Sequence, residues 1–413
     1  MKEHRLLERF LRYVQIDTTA RADAEHYPSS PGQLELGRLL VAELQAQGIS
    51  DARQDRHGIV WATVPATAAG AATIAWCSHL DTSPETSGAG VKPQVIEDFS
   101  GDDIVLPGDP GRVIRAADDP ELPSYRGRTL ITSDGTTLLG ADDKAGVAVI
   151  MEAAARLVEH PEISHGPVRI CFTCDEELGH GVDKLDIEQF GALACYTLDG
   201  HGSGEIDVET FSADQATVTI RGVNIHPSIA KGRMTNAIRA AAEFIARLPR
   251  DGLSPETTEG REGFLHPYEI GGGVAAVAMK ILLRDFAAAE LDELADRLRQ
   301  TAATVRREFP AAEITVDVER QYRNMAEGLA REPRAVAYAQ QALAALGRTP
   351  KLTIVRGGTD GSRLSEMGLP TPNLSCGQHN PHSPLEWACL EEMAESVQWL
   401  VALAERWGEN RVK

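Results

Sequence analysis

The chain is expected to be an α/β protein, with a mainly parallel, doubly wound sheet interrupted by a smaller ferredoxin-like domain. Three observations in the sequence carry that expectation. Short apolar runs alternate with segments of helical period, the pattern of a parallel sheet covered by helices on both faces. Near Ser212 the order changes to β-α-β-β-α-β over about 110 residues, the split arrangement of a ferredoxin-like unit. A length of 413 residues exceeds one ordinary core, so two domains are expected, 1–211 with 323–413, and 212–322.

The elements follow from local pattern. Leu6, Leu7, Phe10, Leu11 and Val14 recur at helical spacing and predict a first helix over 4–16. A second runs over 33–47 and stops at Gly48. Strands are expected at 58–64 and 72–77. Residues 82–127 are rich in Pro, Gly, Asp and Ser with little periodicity, and so long an irregular segment is usually functional or mobile. A strand at 129–132, a helix at 144–158 and strands at 168–173 and 193–198 complete the first half. The inserted domain reads as a strand at 216–221, a helix at 235–248 with Thr235 or Asn236 near its N-cap, and strands at 264–270 and 274–284. A helix at 287–309 and a strand at 314–319 end it. Beyond it come a helix at 334–346, strands at 352–355 and 371–376, and a closing helix at 390–407.

Composition is that of a globular protein. A formal net charge of -20 argues against nucleic acid or an anionic membrane as the main partner. No apolar run approaches the roughly 20 residues of a spanning helix. Met1 opens into the polar amphipathic stretch KEHRLLERFLRYVQI without a leader pattern, so a cytoplasmic location is expected. Six scattered cysteines do not form a secreted disulfide framework. Cys171 and Cys174 form a CxxC, but on a strand they face opposite sides and read as buried small hydrophobes.

Chemistry-bearing residues stand just past the predicted strands. In AWCSHLDTSP, His79 and Asp81 alternate onto one side beyond a strand end, which suits a metal-binding imidazole with a carboxylate partner. Asp142 opens a helix, Glu176 and Glu177 follow the 168–173 strand, Asp199 follows 193–198, and His382 follows 371–376. Each has an ordinary alternative. Asp142 and Asp143 suit helix caps, Glu176 and Glu177 a solvated edge, Asp199 a turn, and His379 and His382 a surface loop. Strand carboxyl ends form the ligand crevice of open α/β sheets, so one shared site explains them together. Two histidines and three carboxylates suffice for two divalent ions if one carboxylate bridges.

At these residues the sequence resembles the peptidase T family of dinuclear zinc exopeptidases. SHLDTSP, LLGADDKAG, DEELG, YTLDG, IHP, RGGTDG and NPHSPLEW fall in that family's order and spacing over nearly the whole chain. The resemblance implies two zinc ions, with cobalt or manganese as alternatives, His79 and Asp199 on one, Glu177 and His382 on the other, and Asp142 between them. His379 competes with His382 for the last place. Asp81 would orient His79, and Glu176 would be the general base as a zinc-bridging hydroxide attacks the scissile carbonyl. Implied too are a homodimer joined through the inserted domain, acting as a lid, and His226, Asn236 and Arg284 as substrate contacts. Arg356 can clamp a peptide carboxylate, although either arginine also suits an ion pair with the chain's own carboxylates. The expected activity is release of the N-terminal residue from tripeptides. Dipeptidase, carboxypeptidase or N-deacylase chemistry is the alternative, because those relatives share the ligands. His201, where glycine is usual, and the additional His379 depart from the family pattern.

Overall fold

Strand Ile74–His79 runs through the middle of an 11-stranded sheet, and its alternating side chains feed two separate cores. Ile74 and Trp76 join the large apolar cluster on one face, whereas Ala75 and Cys77 join a smaller cluster on the other. That is the two-residue period of a strand buried on both faces. Cys171 and Cys174 split between the same two clusters, and all six cysteines are buried and free.

This computed structural model describes residues 3–409; Met1 and Lys2 of the opening amphipathic stretch, and 410–413, lie outside the described residues. The chain divides into two compact units, Met1–Val208 with Met325–Thr353 and Thr359–Lys413, and Glu209–Asn324 with Ile354–Gly358.

In the larger unit the sheet is mixed. Val168–Thr173, Ile74–His79, Ala194–His201 and Asn373–His379 are neighbours and parallel. Val60–Val64 on one side and Trp387–Cys389 and Leu130–Thr132 on the other join antiparallel. The four parallel strands end together, so their last residues share one edge. Helices Glu3–Val14, Ala141–Glu159, Arg334–Ala345 and Leu390–Gly408 cover one face and contribute much of its core. The other face holds short elements, among them Ile187–Phe190 and Asp360–Glu366. Gly146 lets Ala141–Glu159 lie directly on the sheet: a Cβ there would sit 1.9 Å from the Leu198 carbonyl oxygen.

The irregular 82–127 segment forms three short strands and a core of its own. Phe99, Ile104, Leu106, Ile114, Leu122 and Tyr125 pack with Leu130, Trp387 and Cys389. Its apolar residues are too widely spaced for a helical or strand period, so only the folded chain reveals that they cluster.

The smaller unit is a four-stranded antiparallel sheet in the order Phe264–Gly272, Ala276–Asp285, Ser212–Arg221, Glu313–Tyr322. Helices Ala237–Ala246 and Ala288–Glu308 supply Ala240, Phe244, Leu294 and Leu298 to its core. Chain order β-α-β-β-α-β with this strand order is the ferredoxin-like arrangement. Residues Ile354–Gly358 add to the unit from a distant part of the chain: the Phe211 N–H donates to the Val355 and Gly357 carbonyls.

Candidate metal centre

Five of the expected ligands converge at the shared strand edge of the larger unit. His79 is the last residue of its strand and is 2 % exposed. Its Nε2 lies 3.0 Å from Asp142 Oδ1 and 3.9 Å from Asp199 Oδ1. His382 Nε2 lies 3.2 Å from Asp142 Oδ2 and 3.0 Å from Glu177 Oε2. Asp142 thus presents one oxygen to each histidine, and each histidine has a further carboxylate beside it. His379 is elsewhere: its Nε2 pairs with Glu392 Oε2 at 2.7 Å and its ring stacks on Trp387.

Local structure explains how these groups are presented. Gly140, with φ 82, turns the chain into the helix, and Asp142 and Asp143 keep non-helical backbone angles. Neither caps the helix. Asp142 points toward the two histidines, while the Asp143 carboxylate accepts the His79 N–H at 3.2 Å. Glu386 fixes the same turn, accepting the Leu139 and Gly140 N–H groups on Oε2 and the Asp142 N–H on Oε1. Asp175, left-handed at φ 59, stands two residues past the strand Val168–Thr173 and is held by Ser29 and Gln33. His382 is itself left-handed at φ 60, an uncommon backbone for a non-glycine residue that turns its ring back toward the strand ends.

Asp81 ties two parts of the site together. His79 Nδ1 lies 3.1 Å from the Asp81 carbonyl oxygen and 3.4 Å from its carboxylate. The two carboxylate oxygens each accept a backbone N–H, from Glu176 and from Glu177, both at 3.1 Å. One fully buried side chain therefore orients the imidazole and seats the acidic pair.

The electrostatics are those of a crowded anionic pocket. Burial opposes charge on His79, yet its hydrogen bonds to Asp142 and Asp81 outweigh that and hold its pKa well above the ordinary imidazole value. His382 is pushed up to about 11, chiefly by its hydrogen bonds to Asp142 and Glu177. Asp142 resists burial through its bonds to His382 and His79 and stays below the usual carboxylate range. Burial, reinforced by the charge on Asp142, raises Glu177 to about 6 and drives Asp199 upward. Burial also raises Glu176, which lies within electrostatic reach of His79, Asp199 and Glu177. Protons on the histidines are the partners these carboxylates have when no cation is bound.

The donor set fits two divalent ions. Two imidazoles and three carboxylates, one shared, match the nitrogen and oxygen ligands such ions take. Glu177 Oε1 is buried without a hydrogen-bond partner, an orphan that a cation would satisfy. Ligand atoms of His79, Asp142 and Glu177 lie within 4.8 Å of one another, as do those of His79, Asp143 and Asp199.

The other expected site residues fall in the smaller unit. His226 caps the turn Pro227–Ile229, accepting the Ser228 N–H, and is exposed. Asn236 is the N-cap of Ala237–Ala246, accepting the Ile238 N–H. Arg284 donates to the Asp214 and Leu283 carbonyls and lies over the Tyr322 ring. Arg356 donates to the Gly260 and Glu262 carbonyls and to Thr258 Oγ1, pinning that loop, with Phe211 and Phe264 against its guanidinium. Both arginines thus spend donors on backbone carbonyls rather than on the carboxylates their charge suggested.

Sequence reasoning passed over Asp143, Glu386 and Asp175 as supports. Only Glu386 carried a signal, an acid within the apolar LEWACL, where burial demands several partners.

Comparison with known proteins identifies the family. Residues 135–406 match the model of peptidase family M20/M25/M40, a span that includes every proposed ligand except His79. Peptidase T of Geobacillus kaustophilus is 44% identical over 399 residues, covering 96% of this chain and 97% of its own. Peptidase T of Bacillus subtilis is 42% identical over 407 residues, covering 98% and 99%. Among solved structures, the aminopeptidase PepT of Bacillus cereus superposes with TM-score 0.76 at 27% identity, over 98% of this chain and 99% of that one. The chain therefore belongs to the peptidase T family of M20 metallo-exopeptidases.

Proposed function

We propose that the chain is an aminopeptidase that releases the N-terminal residue from short peptides, tripeptides above all. The observation that carries the metal chemistry is Asp142, with Oδ1 beside His79 and Oδ2 beside His382. The substrate class rests on the peptidase T relatives and on the aminopeptidase PepT structure, whose fold extends over nearly the whole chain.

In this reading His79 and Asp199 hold one divalent ion, Glu177 and His382 hold the other, and Asp142 is shared. Zinc is the proposed ion, with cobalt or manganese as alternatives. Bound, the pair supplies Lewis acidity and lowers the pKa of water, to about 7 in single-zinc sites. Glu176 is the general base, its carboxyl raised by burial well above the usual carboxylate range. It takes the proton of the attacking water and returns it to the leaving amine. Asp81 keeps His79 and the Glu176–Glu177 backbone in register during that exchange. We assign substrate contacts to His226, Asn236, Arg284 and Arg356 in a homodimeric, cytoplasmic enzyme, the smaller unit being the lid and dimerisation domain.

The test is a matched series of di-, tri- and tetrapeptides, free and N-acetylated, assayed with the metal content measured. Fastest cleavage of free tripeptides, with release of the first residue, is expected. Cleavage of the acetylated series but not the free one would overturn the aminopeptidase reading. Sedimentation of the purified protein tests the dimer.

A further inference from the structure

Away from the five residues of the Asp142 centre, His201 and His379 come together beside a third group able to ligate a metal. One ligand atom from each of Glu121, His201 and His379 lies within 4.8 Å of the other two. The two imidazoles meet edge to face with ring centroids 4.4 Å apart, and His201 Nε2 is 3.8 Å from Glu121 Oε2. We propose that Glu121, His201 and His379 form a separate divalent-cation site, of the zinc, cobalt or nickel class, distinct from the Asp142 centre.

The surroundings of His379 are those of a prepared ligand. Glu392 holds its Nε2 at 2.7 Å, which leaves the other ring nitrogen for a cation. Glu392 is itself fixed by the Tyr125 hydroxyl at 2.9 Å. The ring is stacked on Trp387 at a centroid distance of 3.7 Å, with Tyr125 edge-on to it. A carboxylate behind a histidine fixes the ring and strengthens it as a donor toward a metal. The opposite side of the site is tethered as well, because Asp119 Oδ2 accepts from Trp387 Nε1 and Asn380 Nδ2 and so anchors the segment that carries Glu121.

Chemistry and access both suit a cation. Two imidazoles and one carboxylate are an established zinc donor set, with further positions left for water. Around a tetrahedral ion at about 2.1 Å, donor atoms stand roughly 3.4 Å apart. The present spacings, 3.8 Å between Glu121 and His201 and no more than 4.8 Å for the other pairs, therefore have to close by about 0.4 Å and at most about 1.4 Å. The side chains that have to move are free to do so, since Glu121 is 66% and His201 49% exposed, while His379 at 1% is the fixed point. Packing alone accounts for His379 but not for a second imidazole and a carboxylate gathered at its open edge.

Zinc content per chain decides the question, measured by elemental analysis after equilibrium dialysis of the metal-loaded protein at saturating buffered free Zn²⁺. Wild type, His201→Gly and Glu121→Gln are compared. Each variant is expected to carry one equivalent less than wild type. Glu121→Gln alters an exposed side chain that is not among the residues of the Asp142 centre and leaves that centre's own ligands unchanged. Any other result, equal zinc in wild type and either variant above all, overturns the assignment. The quantity read is a difference, so an Asp142 centre holding other than two ions changes the totals and leaves this difference intact.

Discussion

Asp81→Asn isolates the part of the site that positions rather than binds. The substitution keeps size and shape but leaves one acceptor oxygen where two are in use. Oδ1 receives the Glu176 N–H and Oδ2 the Glu177 N–H, so in either orientation the new amide sets an NH2 group against a backbone donor. A hydrogen bond to a charged group is worth about 1.5–3 kcal/mol, and the loss falls on the backbone that carries both Glu176 and the ligand Glu177. His79 Nδ1 also loses the negative charge 3.4 Å away. Weakening a group that orients a metal ligand typically costs about 10–100-fold in metal affinity. That is about 1.4–2.7 kcal/mol, in line with one such bond. The assay is competition with a chelator of known affinity, read as zinc retained per chain, with kcat/KM followed alongside. Excess zinc should recover occupancy in the variant. Affinity within threefold of wild type would refute the argument that Asp81 holds the site together.

Further perturbations separate the remaining roles. Glu176→Gln should retain wild-type metal content and lose about 10²–10⁴ in kcat, the usual contribution of a general base; near-normal turnover would remove Glu176 from the mechanism. Glu386→Gln turns a donor toward the three N–H groups of the Leu139–Asp142 turn and should loosen metal by about 10–100-fold with little change in KM, as measured by the same chelator competition. Gly146→Ala forces a Cβ against the Leu198 carbonyl oxygen, backbone that cannot yield cheaply, and should destabilise the larger unit by about 1–3 kcal/mol or more, read as a lowered thermal midpoint. Prolonged dialysis against chelator should abolish activity, and zinc, cobalt or manganese added back singly should show which ion restores it best.

Much of this molecule is determined by residues acting over short range. Leu6, Phe10 and Val14 specify a helical face wherever the rest of the chain lies, and helix Glu3–Val14 forms there. Val168–Thr173 is a strand because its apolar run suits a sheet buried on both faces. The same local logic places His79, Asp142 and Glu177 at or just past element ends, which is why these candidate ligands could be named from the sequence; Asp199 lies two residues inside the end of Ala194–His201, a strand longer than the expected 193–198. The strand Glu205–Thr210 is not among the expected elements, although EIDVET alternates acidic and apolar residues as a half-buried strand does; it pairs with Asn373–His379.

What only tertiary structure decides is which atoms meet. The choice between His379 and His382 is not written in the local sequence, since both are histidines three residues apart; Glu392 and Trp387 hold one, the last residue of its strand, inward, and a left-handed backbone turns the other toward Asp142. Glu386 becomes a support because its partners lie more than 240 residues earlier in the chain. Hydrogen-bond geometry and burial depend on approach to a few tenths of an ångström between distant segments, and no periodicity in a single sequence encodes that. Helices and strands follow from local side-chain pattern, whereas the Asp142 centre exists only because four parallel strands end at one edge.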